Sequence, residues 1–150
     1  MKNFLVVIGG AGFVGSNLIE LLLKKTKYNI ISYDNYSTGT IKNHIKSKRI
    51  TYIKSHTKEI SRVLSSKKKM IKSIFHFGEF SRIFQSFQNL SECIESNSIG
   101  SFEVFKFCLD NKIKLVYSAT SATLGNNGND KNLSPYAFTK SKNLELLENL

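Results

Sequence analysis

Phe4-Leu5-Val6-Val7-Ile8-Gly9-Gly10-Ala11-Gly12-Phe13-Val14-Gly15 decides how the chain is read. A short apolar run that breaks into glycines reads as a buried strand, and the residues from Phe13 onward read as a helix. A glycine-rich turn between them brings bare backbone N–H groups to a helix N-terminus. That end carries partial positive charge and unpaired donors, so it suits a pyrophosphate. The glycines satisfy two spacings, G-x-G-x-x-G (Gly10, Gly12, Gly15) and G-x-x-G-x-x-G (Gly9, Gly12, Gly15). Their uses differ: a tight bend, room for the phosphates, and close packing of helix on strand.

A second apolar run, Asn29-Ile30-Ile31-Ser32-Tyr33, ends in Asp34, 24 residues after Gly10. A carboxylate there accepts hydrogen bonds from the adenosine ribose and repels a 2′-phosphate, which favours NAD over NADP. Alone, an Asp before Asn35 reads equally as a turn former. Strand, glycine turn, helix, strand and acid in that order favour the ribose. Asn35, Ser37, Thr38 and Gly39 follow in a polar loop at the strand's carboxyl end, where open α/β sheets bind ligands.

The same alternation runs on. The helix from Phe13 to Lys25 turns Val14, Leu18, Leu21 and Leu22 to one face. A third strand is expected over 50–53, then a helix over 59–72 with Ile60, Val63, Leu64 and Ile71 inward. A fourth strand is expected over 73–77, helices over 82–90 and 92–111, and a fifth strand over 113–117. A polar loop, 118–134, leads to Ser134-Pro135, a cap with proline in the first helical turn. Strands alternating with helices give an α/β fold with a doubly wound parallel sheet, a Rossmann fold.

Composition bounds the function. With 150 residues, 41% of them hydrophobic, the chain is one globular domain. No apolar run is long enough for a membrane span, and the glycine-broken N-terminal run reads as a strand and not as a leader. Cys93 and Cys108 lack metal-ligand or redox spacing, which suits reduced thiols in a cytoplasm. Residues 42–72 hold eleven cations against Glu59 alone, so they carry +10 of the net +11. These cations are mostly lysine with few interleaved aromatics, which favours a solvated face over a nucleic-acid surface.

Tyr136 and Lys140, four apart at the start of the last helix, share one face. A phenol of ordinary pKa must be stabilised as its anion by about 4 kcal/mol to act as a base near neutrality. A neighbouring ammonium supplies part of that. A hydroxyl at the end of the fifth strand (Ser118, Thr120 or Ser121) would orient an alcohol toward the tyrosine. Hydroxyl, tyrosine and lysine beside a dinucleotide make a site for hydride transfer at a sugar or alcohol carbon.

Five landmarks in order carry a resemblance: the glycine turn; Asp34-Asn35 with Ser37-Thr38-Gly39; His76-Phe77-Gly78; Asn97-Ser98-Ile99-Gly100; and Val116-Tyr117-Ser118-Ala119-Thr120-Ser121 ahead of Ser134-Pro135-Tyr136-Ala137-Phe138-Thr139-Lys140. The chain resembles the N-terminal half of an extended short-chain dehydrogenase/reductase, of the NAD-dependent nucleotide-sugar epimerase/dehydratase kind. The resemblance implies Tyr136 as proton-transfer residue, Lys140 on the nicotinamide ribose, and Thr120 as the orienting hydroxyl. It sets Phe13 and Val14 by the pyrophosphate, Phe77, Gly78 and Glu79 along the cofactor, and Asn97 beneath it. His56-Thr57 stand by the adenine, His56 where the family usually has an Asp. Leu124 replaces the aromatic that often precedes Gly125. His76 reads as a structural strand-end residue.

The resemblance further implies a UDP- or GDP-sugar as substrate, and a homodimer or a complementing C-terminal half as partner. Family members run to roughly twice this length, within two-domain sizes. The expectation is therefore an incomplete dinucleotide-binding domain that ends inside its last helix, before the substrate domain, with the fifth strand as an uncovered edge. The alternative function is a binding module for NAD or a nucleotide that turns nothing over.

Overall fold

The computed structural model describes residues 3–150. β1 (Phe4–Ile8) is central because its residues are apolar on both faces. Val6 and Ile8 enter one core with Ile31, Tyr33 and Ile74, while Val7 enters a second with Ile19 and Ile30. A strand covered on both sides is the signature of a parallel sheet. β2 (Asn29–Asp34), β3 (Ile50–Lys54), β4 (Ile71–His76) and β5 (Lys114–Tyr117) complete it in the order β3-β2-β1-β4-β5, every pair parallel. The chain winds outward from β1 to β3, then returns across β1 to β4. This reversal opens a crevice at the carboxyl ends of β1 and β4, where such sheets bind ligands.

α1 (Phe13–Lys25) packs Leu18, Ile19, Leu22 and Leu23 on one face of the sheet. The other face takes α2 (Ile60–Val63) and α5 (Ser101–Asp110), with Phe105, Phe107 and Cys108 buried. Between them lie α3 (Ile83–Gln88) and α4 (Leu90–Ile94). α4 continues through a π-helical stretch, Glu95–Gly100, into α5. α6 (Pro135–Leu147) closes the domain, capped by Ser134 Oγ accepting from Ala137 N at 3.0 Å.

The expected strands and the helices α1 and α6 form, with four departures. The helix over 59–72 is only the single turn of α2, followed by a 3₁₀ stretch, Ser65–Met70. Leu64, fully buried, leaves the helical region with φ −98° and ψ 7°; Ser65 Oγ then donates to Arg62 O at 2.9 Å, and three lysines follow. Ile71 therefore opens β4, which runs from Ile71 to His76 and not over 73–77. The long helix over 92–111 is interrupted by the π stretch; Phe102 and Leu109 are half exposed while Phe105 and Phe107 are buried. α6 ends at Leu147, so Leu150 lies outside it. β5 pairs with β4 alone among the described residues, as the edge expectation has it.

Two glycines set the close approaches at the end of β1, Gly15 for α1 and Gly9 for the segment after β4. A Cβ on Gly15 would stand 2.1 Å from Gly9 O and 2.8 Å from Gly10 Cα, all rigid backbone. Gly9 itself has φ +79°, and a Cβ there would meet Gly78 N at 2.8 Å. Gly12 differs, because its Cβ would meet only Gly9 O, at 3.3 Å. Gly15→Ala is therefore expected to destabilise by about 3 kcal/mol, and Gly12→Ala by no more than about 1 kcal/mol, in urea denaturation. Equal costs would contradict this account of the turn.

Candidate active site

Three cavities follow one another along the carboxyl edge of the sheet. The first is small and narrow, lined by Gly9, Asp34, Asn35, Ser55, Thr57 and Gly78 among others. The second holds about 60 Å³ between Phe77, Glu79, Ser118, Tyr136 and Lys140. The third holds about 710 Å³ and includes Thr120, Ser121, Leu124, Leu133 and Tyr136 in its wall. Phe77-Gly78-Glu79 links the first to the second, and Tyr136 links the second to the third.

Three residues after Gly9, which lines the first cavity, Gly12 stands at the N-cap of α1 with no side-chain cap, and no acid occupies the first turn. Phe13 and Val14 are exposed there. An uncapped positive helix end, with open space over Gly12, fits a pyrophosphate. Asp34 is buried at the end of β2; Oδ2 accepts from Ala11 N at 2.9 Å and Oδ1 from Tyr36 N at 2.8 Å. Each oxygen keeps a lone pair for a further donor. Gly39 keeps the carboxylate open, since a Cβ there would lie 3.1 Å from both its oxygens. Asn35, Ser37 and Thr38 stand exposed on the rim, with Ser37 N donating to Asn35 Oδ1 at 3.0 Å.

His56 does not behave as an Asp would. Its Nδ1 accepts from Lys58 N at 3.2 Å and caps the short turn Thr57–Glu59. In the neutral ring the proton then sits on Nε2, so the free nitrogen is a donor and does not accept from an adenine amino group. Burial favours that neutral form by pushing the imidazole pKa down, against the pull of Glu95. Thr57, not His56, lines the cavity.

At the far end Tyr136, Lys140 and Asn143 project from one face of α6. Lys140 is buried; its Nζ donates to Glu79 Oε2 and to Ser118 O, and lies 4.2 Å from the Tyr117 ring centroid. Burial pushes the ammonium pKa down and Glu79 pushes it back up. Glu79 Oε1 accepts from Ser101 Oγ at 2.6 Å, Tyr117 Oη at 2.9 Å and Asn143 Nδ2 at 3.0 Å. Glu79 thus lies along the crevice, but both carboxylate oxygens are committed to protein donors. Asn97, in the π stretch, fixes the crevice wall: Oδ1 accepts from Phe80 N at 2.6 Å, and Nδ2 donates to Phe80 O at 3.0 Å and Thr139 Oγ1 at 3.2 Å. π-helical stretches concentrate at such sites. Thr120 Oγ1 accepts from Ala122 N at 3.2 Å in the third cavity's wall.

The contacts of Asn143, Tyr117 and Ser101 with Glu79 escape a reading of the sequence. Asn143 alone carried a signal, standing three residues after Lys140 and seven after Tyr136 on the same helical face.

A parallel sheet that reverses at its first strand, with an uncapped helix end and an acid at the next strand, is a Rossmann fold. The chain belongs to the NAD dependent epimerase/dehydratase family, whose sequence model matches residues 5–150. A curated relative, an uncharacterized UDP-glucose epimerase (YtcB) of Bacillus subtilis (strain 168), is 29% identical over 153 residues, 91% of this chain and 48% of that protein. The UDP-N-acetylglucosamine 4-epimerase of Methanobrevibacter ruminantium M1, solved with UDP-N-acetylmuramic acid, superposes with a TM-score of 0.84 at 26% identity, over 99% of this chain and 51% of that one. The UDP-glucose 4-epimerase of Brucella ovis, solved with NAD, gives 0.83 at 22% identity, over 98% and 47%. The chain spans about half the length of these relatives. NAD is the family's cofactor.

His76 closes the account of the wall. It is fully buried; Nε2 meets Ser101 Oγ at 3.0 Å and Nδ1 has no partner among the described residues. Burial drives its pKa down to about 4, so the folded chain holds it neutral while the unfolded chain takes up a proton below about 6.5. Between those values the unfolded state binds more protons, so stability rises with pH and is lost as pH falls through the window, by roughly 3 kcal/mol. Urea denaturation from pH 7 to 4 should show that loss, and His76→Gln should remove most of it. An identical slope in both would place the titration elsewhere.

Proposed function

We propose that this chain is the NAD-binding and proton-transfer part of a nucleotide-sugar epimerase or dehydratase. One observation carries the reading: Tyr136 and Lys140 line the cavity that the segment Phe77-Gly78-Glu79 joins to the glycine turn and Asp34. The uncapped end of α1, with Gly9, Gly12 and Gly15, would hold the pyrophosphate, Asp34 the adenosine ribose, and Lys140 the nicotinamide ribose. Bound NAD supplies a hydride acceptor, and then a donor, for one sugar carbon.

Tyr136 takes the proton of the sugar hydroxyl at that carbon and returns it on reduction. Thr120, in the same cavity wall as Tyr136, accepts from or donates to that hydroxyl and orients it. Leu124 and Leu133 give this wall an apolar stretch. The substrate class is a UDP- or GDP-sugar, in keeping with the curated relative described as a UDP-glucose epimerase.

Calorimetric titration with NAD should show one site, and Asp34→Ala should weaken it and relax discrimination against NADP. Tyr136→Phe should leave NAD affinity within about twofold and lower sugar turnover at least 10²-fold in the active protein. NAD binding with no absorbance change at 340 nm under any UDP- or GDP-sugar would leave a binding module. Joint loss of binding and turnover in Tyr136→Phe would make Tyr136 structural.

A further inference from the structure

We propose that Glu79 is the positioning residue for Lys140: its carboxylate anchors the buried ammonium in the crevice wall and keeps it charged. This rests on the reading of Lys140 above. The carboxylate reaches Lys140 across 61 residues of sequence and is almost wholly enclosed, with 4% of its side chain exposed against 5% for Lys140. A buried charge is retained only where a counter-charge and hydrogen bonds replace water, and here each group has both. Glu79 receives four donors, from Lys140, Ser101, Tyr117 and Asn143.

Three other titratable groups facing the pair are neutral. His76, at the end of β4, is held uncharged by burial. Tyr117 on β5 is held as the phenol by burial and by Glu79 itself. Cys93 on α4 is held as the thiol in the same way. Tyr136 stands one turn back on α6. No other carboxylate hydrogen-bonds Lys140 among the described residues, so Glu79 is its counter-ion.

The geometry also counts hydrogens. An ammonium has three donors. One goes to Glu79 and one to Ser118 O, leaving a single N–H for a ligand. Lys140 thus meets a ribose from a fixed perch, as a cation with its counter-ion behind it. Without Glu79, burial acts unopposed and the amine sheds its proton at lower pH.

The test follows the Lys140 ε-methylene by carbon-13 NMR in the full chain, assigned through Lys140→Met, as pH is raised. Glu79→Gln should lower the Lys140 titration midpoint by at least one pH unit while the backbone amide spectrum stays folded. The pH at which NAD affinity falls should move with it. An unchanged midpoint overturns the proposal. If Glu79→Gln does not fold, Glu79→Gln/Lys140→Met is compared with it in urea. The proposal expects the double variant to recover stability; a double variant no more stable than the single one assigns Glu79 to Ser101, Tyr117 and Asn143 instead, and overturns it. A shifted midpoint in a chain that ignores NAD keeps the pairing and sinks the cofactor reading, whereas NAD binding with an unmoved midpoint sinks the pairing alone.

Discussion

The contact of backbone on backbone at the first crossover constrains everything else. α1 can start over β1 only because Gly15 lets its first turn rest on Gly9 and Gly10, and Gly9 in turn lets the end of β4 close in at Gly78. Were α1 to stand farther off, its amides would no longer face the mouth of the crevice. The segment after β4 would also lose its place beside that mouth. Here a packing limit, set by the absence of three or four methyl groups, fixes where an anion can be bound.

The second constraint is a polar helix buried against a sheet end. α6 turns Thr139, Lys140, Ser141 and Asn143 into the protein, where helices ordinarily put leucines. These groups are satisfied by Glu79, Asn97 and Tyr117 and by backbone carbonyls, so the desolvation cost is offset bond by bond. The network fixes the rotation of α6 about its axis, and with it the direction in which Tyr136 leaves the helix.

How far this was legible in the sequence follows the range of each interaction. β1, the glycine turn, α1 and the Ser134-Pro135 cap are written in neighbouring residues, and they form at the expected places. Asp34 needed only the second strand. The helix over 59–72 ends at Leu64, whose φ −98° and ψ 7° leave the helical region while its side chain is fully buried in the core, a tertiary demand that apolar spacing does not record. The π stretch escaped because its extra residue answers to Phe80 and Thr139, which lie far away along the chain. Glu79 is the sharpest case. The sequence shows a charge beside a strand end, but it does not show the four donors that draw that charge inward.

The sulfur atoms carry a practical consequence. Cys93 and Cys108 are enclosed, and burial raises both thiol pKa values, that of Cys108 to about 12. Alkylating reagents attack the thiolate, so in the folded chain neither sulfur competes for a maleimide dye at neutral pH. A single cysteine introduced on the exposed rim, at Thr38 for instance, would take a fluorophore cleanly with both native cysteines left in place. The molecule comes ready for spectroscopic reporting beside its own crevice.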